Sequence, residues 1–121
     1  MKHKNIYKIL TPQEWDDAQN SKIINTELDG KDGFVHFSNA NQLAASLELY
    51  FSDYEEVVLL LPRMKKIEPF LKYEKAGNNS KRPGFFAHMY GVLMTNDIEK
   101  IWQIKRGAFI LPKNILLEAE L

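Results

Sequence analysis

The sequence contains no cysteine. Disulfide bonds, thiolate metal ligands and cysteine nucleophiles are therefore excluded, and the composition fits the cytoplasmic location that we expect. Long apolar runs are also missing, since the longest aliphatic stretch covers only residues 57–61. A membrane-spanning helix needs about 20 apolar residues. No apolar region follows the basic segment 1–5, so we expect neither a secretory signal nor a membrane partner.

The sequence has no excess of charge of either sign. Its 121 residues include 16 basic and 16 acidic side chains, so no overall field attracts nucleic acid or an anionic membrane. We therefore expect a small-molecule ligand and no nucleic-acid partner. The length and the hydrophobic content of 45% predict one folded domain that covers residues 1–121.

Several familiar catalytic motifs are missing. There is no glycine-rich dinucleotide fingerprint, no phosphate-binding loop and no nucleophile elbow. The pair of helical histidines found in many zinc enzymes is also missing. His36, His88 and Glu74 have the residue types of a two-histidine, one-carboxylate metal site. No tight spacing supports that site, and we expect no metal.

Hydrophobic periodicity predicts the order of the secondary structure. Apolar or alternating runs predict strands at 6–10, 22–24, 34–38, 55–62, 70–74, 86–90, 101–106 and 109–111. Capping residues and helical spacing predict one helix at 12–19 and a second from Ser38 or Asn39 to about residue 51. Residues 113–121 form either a short helix or a tail. Because strands come late and helices early, the pattern indicates an α+β domain with a mostly antiparallel sheet.

Three polar segments have no predicted regular structure. Residues 21–31 are predicted as a connection with one short strand, and 63–66 as a solvated turn. The segment 75–84 is rich in glycine, proline and asparagine and carries three positive charges. It is either a mobile hairpin tip or a basic lid over an anionic ligand, and the sequence leaves both interpretations open.

Two polar clusters among aromatic residues are the candidate site. Asp32 and Gly33 predict a turn, after which His36 and Ser38 point to one face of a strand whose opposite face is apolar. His88 also shares a face with the residue two positions later, a tyrosine. We predict that the two clusters converge on one pocket, where partial desolvation favours neutral histidines. The alternative is that each histidine makes one hydrogen bond and holds a loop in place.

Taken together, these segments resemble a family of small bacterial proteins, the domain of unknown function 952 family. The resemblance covers most of the chain. It depends on the opening strand 6–10 with the Glu14–Trp15 pair, on the segment 32–38, on Glu74, and on the segment 86–91.

The resemblance implies a fold similar to that of ADP-ribosyltransferases. In that fold a split, bent, mostly antiparallel sheet, with two or three helices packed outside, holds NAD in a cleft. His36 and Ser38 look like the pair that binds the ribose and amide end of NAD, and Tyr90 looks like the tyrosine that stacks on nicotinamide. A late catalytic carboxylate is also typical of such enzymes, but Glu99 and Glu118 lie in no motif that aligns.

These observations lead to three hypotheses about function. The first is a cleft for NAD, ADP-ribose or a related nucleotide, with ADP-ribosyl transfer or hydrolysis as the reaction. The second is a non-catalytic sensor that binds a small ligand in the same cleft, and the third is a structural domain whose histidines are packing residues. The candidate catalytic residues are His36, His88 and Glu74. The candidate ligand-binding residues are Ser38, Tyr90, Tyr7, Lys8 and Phe86.

Overall fold

The fold was derived from a computed structural model that describes residues 5–76, 82, 84–105 and 112–120. The predicted strand at 109–111 and six of the ten residues of the segment 75–84 lie outside these residues. The strands are β1 (Ile6–Leu10), β2 (Val35–His36), β3 (Ser38–Asn39), β4 (Glu56–Pro62), β5 (Leu71–Lys75), β6 (Phe85–Met89) and β7 (Ile98–Lys105). The helices are α1 (Pro12–Ser21), α2 (Glu27–Asp32), α3 (Ala40–Phe51), α4 (Met64–Ile67) and α5 (Lys113–Ala119).

The described strands form two open sheets. One has the order β3-β1-β4-β7 and the other the order β2-β6-β5. Every pairing between these strands is antiparallel, which confirms the predicted α+β class and the antiparallel pairing. None of the described helices is both long enough and apolar enough to cross a bilayer.

The chain passes from one sheet to the other within a single short segment. The backbone N–H of Phe37 donates to the carbonyl of Ala87 in β6, at 3.1 Å. The next residue, Ser38, pairs instead with Tyr7 of β1 in the other sheet. The predicted strand 34–38 is therefore two short strands that diverge at Phe37. Residues on both sides of this divergence, among them Tyr7, His36, Ser38 and His88, line the candidate site.

Strand β4 lies at the centre of the core. Val57 and Leu59 point into a cluster that also contains residues of α3 and α5, whereas Val58 and Leu60 point into a cluster on the opposite face. All four side chains are at most 2% exposed. An apolar run that is buried on both faces is expected only for a central strand, and the structure confirms this prediction for β4.

Capping boxes begin the three longer early helices. Thr11 with Glu14 begins α1, and Asn39 with Gln42 begins α3, both within the predicted segments. A third capping box, Thr26 with residue 29, begins α2, where the sequence predicted only a polar connection. That prediction was wrong because a side-chain cap stabilises even a short helix that has no apolar stripe.

Other local predictions also need correction. Gly33 has the positive φ expected of the predicted turn, 85°, but the turn is the end of a helix, α2, that the sequence did not predict. The predicted turn at 63–66 lies largely within α4, which buries Ile67. The described residues form five helices, more than the two or three that were expected. Of the two alternatives for the carboxyl-terminal segment, the structure shows a helix, α5.

Candidate functional site

A cavity of about 460 Å³ opens between the two sheets. Its volume is within the range of small-molecule sites, about 300–1,000 Å³. Aromatic, histidine, basic and acidic residues make up much of its wall, together with residues of β1. Its lining includes Tyr7, Lys8, Phe34, His36, Ser38, Ser46, Tyr50, Arg82, Phe86 and His88.

The two histidines are brought together by strand register. His36 in β2 and His88 in β6 are directly opposite each other in the antiparallel pair. Their ring centroids are 5.5 Å apart, and the rings are close to perpendicular. Phe34 stacks on His88 with 4.0 Å between centroids and lies 4.6 Å from the ring of His36. The predicted convergence of the two clusters is therefore present in the structure.

Both ring nitrogens of His36 contact carboxylates. Nδ1 lies 2.6 Å from Oδ1 of Asp29, and Nε2 lies 2.9 Å from Oδ2 of Asp32. An ionised carboxylate can only accept hydrogen bonds, and a neutral imidazole has only one N–H. Both contacts are hydrogen bonds only if His36 is an imidazolium. The His36 ring is therefore held between two carboxylates, Asp29 and Asp32.

Asp29 is the buried anchor of this arrangement. Its side chain accepts hydrogen bonds from the ammonium of Lys8, from the backbone N–H of Thr26 and from both the ring and the backbone N–H of His36. Burial raises the pKa of Asp29, but the hydrogen bond from His36 and the charge of Lys8 outweigh it and hold that pKa far below its usual value. Sequence reasoning missed Asp29, although the Thr26 capping box was a usable signal.

The ammonium of Lys8 is buried with Asp29. Nζ lies 2.9 Å from Oδ1 and 2.8 Å from Oδ2, and the Lys8 residue is 4% exposed. Burial lowers the pKa of Lys8, and the nearby charge of Asp29 opposes that shift. Lys8 contributes to the cavity wall, but its charge is already matched by the Asp29 carboxylate. Its first role in this structure is therefore to hold Asp29 ionised.

His88 is oriented by a second carboxylate. Its Nδ1 lies 2.7 Å from Oε1 of Glu74, which also accepts a hydrogen bond of 2.8 Å from the hydroxyl of Tyr90. The hydrogen bond from His88, and after it the one from Tyr90, lowers the pKa of Glu74, and the hydrogen bond to Glu74 raises the pKa of Tyr90. Glu74 and Tyr90 do not line the cavity. They support His88 from its outer side, and only the histidine of this trio reaches the cavity wall.

Ser38 and Arg82 form a polar strip on another part of the wall. The hydroxyl of Ser38 is 2.8 Å from that of Ser46, and Nη1 of Arg82 donates to the Ser46 hydroxyl at 2.9 Å. The guanidinium also lies 4.4 Å from the ring centroid of Phe86. Arg82 belongs to the segment 75–84, which the sequence left open as a hairpin tip or a lid, and the structure places it at the cavity wall. Sequence reasoning did not single it out as a binding residue.

Tyr7 lines the cavity, but its hydroxyl is directed to α5. It donates to Oε1 of Glu118 at 2.9 Å, and the side chain of Asn5 donates to the same oxygen at 3.2 Å. Burial, reinforced by Glu118, raises the pKa of Tyr7 well above its usual value. Glu118 is thus a docking residue for α5 and does not line the cavity, which agrees with its lack of a recognisable catalytic motif.

The described residues include no group of three or more histidine, aspartate or glutamate side chains arranged to hold a metal ion. His36 and His88 are instead each engaged with a separate carboxylate. The chemistry that these residues offer is acid–base and hydrogen-bonding chemistry next to aromatic surfaces.

Comparisons with known proteins identify relatives without identifying an activity. The profile of a family described as "Protein of unknown function (DUF952)" matches residues 9–101. A crystal structure of protein CC0527 from Caulobacter crescentus matches with a TM-score of 0.76 and 26% identity, over 96% of this chain and 99% of that one. The solution NMR structure of CC0527 matches with a TM-score of 0.69 and 27% identity, over 84% of each chain. No curated protein is significantly similar in sequence.

Proposed function

The chain belongs to the DUF952 family of proteins of unknown function, and from this starting point we propose that its cavity binds NAD, ADP-ribose or a related nucleotide. The observation that carries the proposal is the composition of the cavity lining. In it His36 lies beside the ring of Phe34, and Arg82 lies beside the ring of Phe86; both can present positive charge. Positive charge suits anionic phosphates, and aromatic rings suit a flat base or nicotinamide.

The position of the cavity supports the same proposal. It lies where two antiparallel sheets diverge, with β1 on one side and the paired strands β2 and β6 on the other. A ligand cleft between the parts of a split, bent sheet is the arrangement expected from the similarity to the ADP-ribosylation fold. We propose that fold relationship and a cytoplasmic location together with the nucleotide ligand.

Residue roles follow from these positions. Ser38, together with His36, is the candidate for the ribose hydroxyls, since both lie at the crossover between the sheets. Arg82 is the candidate for the phosphates, because a guanidinium donates several hydrogen bonds in a fixed plane. Tyr90 does not line the cavity, so Phe34 and Phe86 replace it as the proposed stacking surfaces.

A non-catalytic sensor in the same cavity is the second candidate. A specific observation favours it over ADP-ribosyl transfer. Asp29, Asp32 and Glu74 each already contact a histidine ring nitrogen, and of these three carboxylates only Asp32 lines the cavity. An oxocarbenium-like transition state needs a carboxylate that faces the sugar. Binding without glycosyl transfer is consistent with this arrangement.

Calorimetric titration with NAD, ADP-ribose and nicotinamide mononucleotide tests the proposal. We expect binding by the wild type and at least a tenfold loss in Arg82→Gln, because a hydrogen bond to a charged group contributes about 1.5–3 kcal/mol. Lys75→Gln is the matched control, since Lys75 is exposed and does not line the cavity. Absence of heat with all three ligands at millimolar concentration, or equal losses in both variants, would overturn the proposal.

A further inference from the structure

We propose that His36 and His88 form a general acid–base pair that hydrolyses a ribose 2′,3′-cyclic phosphodiester, with His36 as the acid and His88 as the base. This inference rests on the proposed nucleotide binding and assigns the cavity a reaction. It depends on how each ring is held and on the short distance between the two rings.

The contacts of His36 make it a proton donor. Asp29 and Asp32 can only accept hydrogen bonds, and each faces one ring nitrogen. Asp29 is buried within α2 and fixes the ring, whereas the Asp32 side chain is 36% exposed and lines the cavity. A substrate oxygen that replaces the Asp32 carboxylate would therefore face the N–H of Nε2. Asp29 is a positioning residue in this proposal.

The contacts of His88 make it a proton acceptor. Its Nδ1 faces Glu74, a carboxylate that can only accept, so the hydrogen of a neutral ring lies on Nδ1. Nε2 then carries a lone pair. Within the described part of the chain, Nε2 has no hydrogen-bond partner, and His88 lines the cavity. Glu74 is the positioning residue here, and Phe34 stacked on the ring restricts its rotation.

The two rings are close enough to act on one phosphoryl group. Each nitrogen must come within about 2.6–3.2 Å of the oxygen whose proton it moves. Centroids 5.5 Å apart allow both rings to contact oxygens on the same phosphorus. In such a reaction negative charge is spread over the phosphoryl oxygens. His36 and Arg82 at the cavity wall are suited to that charge.

The need for an acid distinguishes this reaction from cleavage of NAD at the ribose–nicotinamide bond. Nicotinamide leaves as a neutral ring and takes no proton, so a charged His36 has no proton transfer to perform there. A cyclic phosphodiester releases a ribose alkoxide, which does need a proton. The pairing of one donor with one acceptor therefore fits the phosphodiester.

The proposed step is balanced without any oxidant or metal. Nε2 of His88 takes a proton from water as the water oxygen forms a bond to phosphorus. The bond from phosphorus to one ribose oxygen breaks, and its electron pair stays on that oxygen, which takes the proton from Nε2 of His36. The product is a nucleoside monophosphate. A proton then passes from His88 to His36 through solvent and restores both rings.

Other charged groups near the pair lie on β1, β5 and α2. Lys8 on β1 contacts His36 only through Asp29. Lys72 on β5 is opposite His88 in the register and lies 5.0 Å from the ring centroid of Tyr90. The carboxylate of Asp32 on α2 faces His36, and the carboxylate of Glu74 on β5 faces His88.

The test uses the purified chain with EDTA and each of the four ribonucleoside 2′,3′-cyclic monophosphates, with products followed by ³¹P NMR. We expect turnover with a bell-shaped pH profile of kcat/KM. His88→Gln and His36→Gln should each lower kcat by about 100-fold or more. The His88 variant should lose the acidic limb of the profile and the His36 variant the alkaline limb. Glu99→Gln, an exposed position on β7, should leave the rate unchanged.

The outcomes separate this inference from the proposed function. No turnover of any cyclic substrate, together with binding of ADP-ribose, would overturn the acid–base pair and leave the nucleotide site standing. No turnover and no nucleotide binding would overturn both. Turnover that survives both histidine substitutions, or a pH profile without two limbs in the wild type, would also overturn the pair. The wild-type profile decides the question even if a variant does not fold.

Discussion

Lys8 and Asp29 form an ion pair whose two side chains are almost completely removed from solvent. The ammonium lies 2.8 Å from Oδ2, and the side chains are 5% and 0% exposed. A buried pair of this kind is costly to break, because removing one partner leaves the other charge in a poorly solvated place. The orientation of His36 depends on this pair, since the same carboxylate receives its ring N–H.

Removing the carboxylate should destabilise the whole fold. We expect Asp29→Ala to lower the free energy of unfolding by about 3–5 kcal/mol, because Lys8 is left buried without its counter-charge. Urea denaturation followed by circular dichroism measures the change. Asp53→Ala, at an exposed position, is the control and should change stability by less than about 0.5 kcal/mol. A loss below about 1 kcal/mol in Asp29→Ala would contradict the importance of the pair.

Low pH should lower the free energy of unfolding, because it protonates the carboxylate of Asp29. The pKa of Asp29 in the folded protein is below its usual value, so its contribution to stability is complete above the unfolded pKa of about 3.9 and is lost as the pH falls below it. Urea unfolding at several pH values from about 3 to about 7 measures this loss. Asp29→Asn should show a flatter decline than the wild type; equally steep curves would contradict the assignment.

Hydrophobic patterns and capping residues predicted those strands and helices whose formation depends on their own residues. The run at 57–61 predicted β4 because both of its faces are apolar. The capping box at Thr11 predicted α1, and a cap at Ser38 or Asn39 followed by helical spacing predicted α3. The helix α2 was missed because Leu28, its one large apolar residue, is 51% exposed. Its stability comes from capping and from tertiary partners of Asp29, neither of which produces a hydrophobic period.

The candidate site was predicted in part for a similar reason. His36 and His88 stand out because each has aromatic residues within two positions on both sides, in a short predicted strand. Asp29 does not stand out, since its partner Lys8 is 21 residues away in sequence and only the fold brings the two together. The positions of Glu74 and Tyr90 outside the cavity also depend on sheet register, which no local pattern specifies.

The carboxyl-terminal helix α5 should contribute to stability through one side chain. Ile115 is fully buried against the cluster around β4, and truncation of such a side chain typically costs about 2–5 kcal/mol. We therefore expect a loss in that range for Ile115→Ala in urea denaturation. Leu117→Ala is the matched control, because Leu117 is on the same helix and is 56% exposed. Equal losses in the two variants would show that α5 is not docked in this way.

The hydroxyl of Tyr90 should titrate later than an ordinary tyrosine because of Glu74. Its hydrogen bond to the Glu74 carboxylate raises the pKa of Tyr90 above the usual value of about 10. In Glu74→Gln the amide oxygen still accepts that bond but carries no charge, so we expect one tyrosine to ionise at lower pH than in the wild type. Phenolate absorbance during an alkaline titration measures this. Glu99→Gln should leave the curve unchanged, and an unchanged curve in Glu74→Gln would show that Glu74 does not hold the Tyr90 hydroxyl, and with it the outer side of His88.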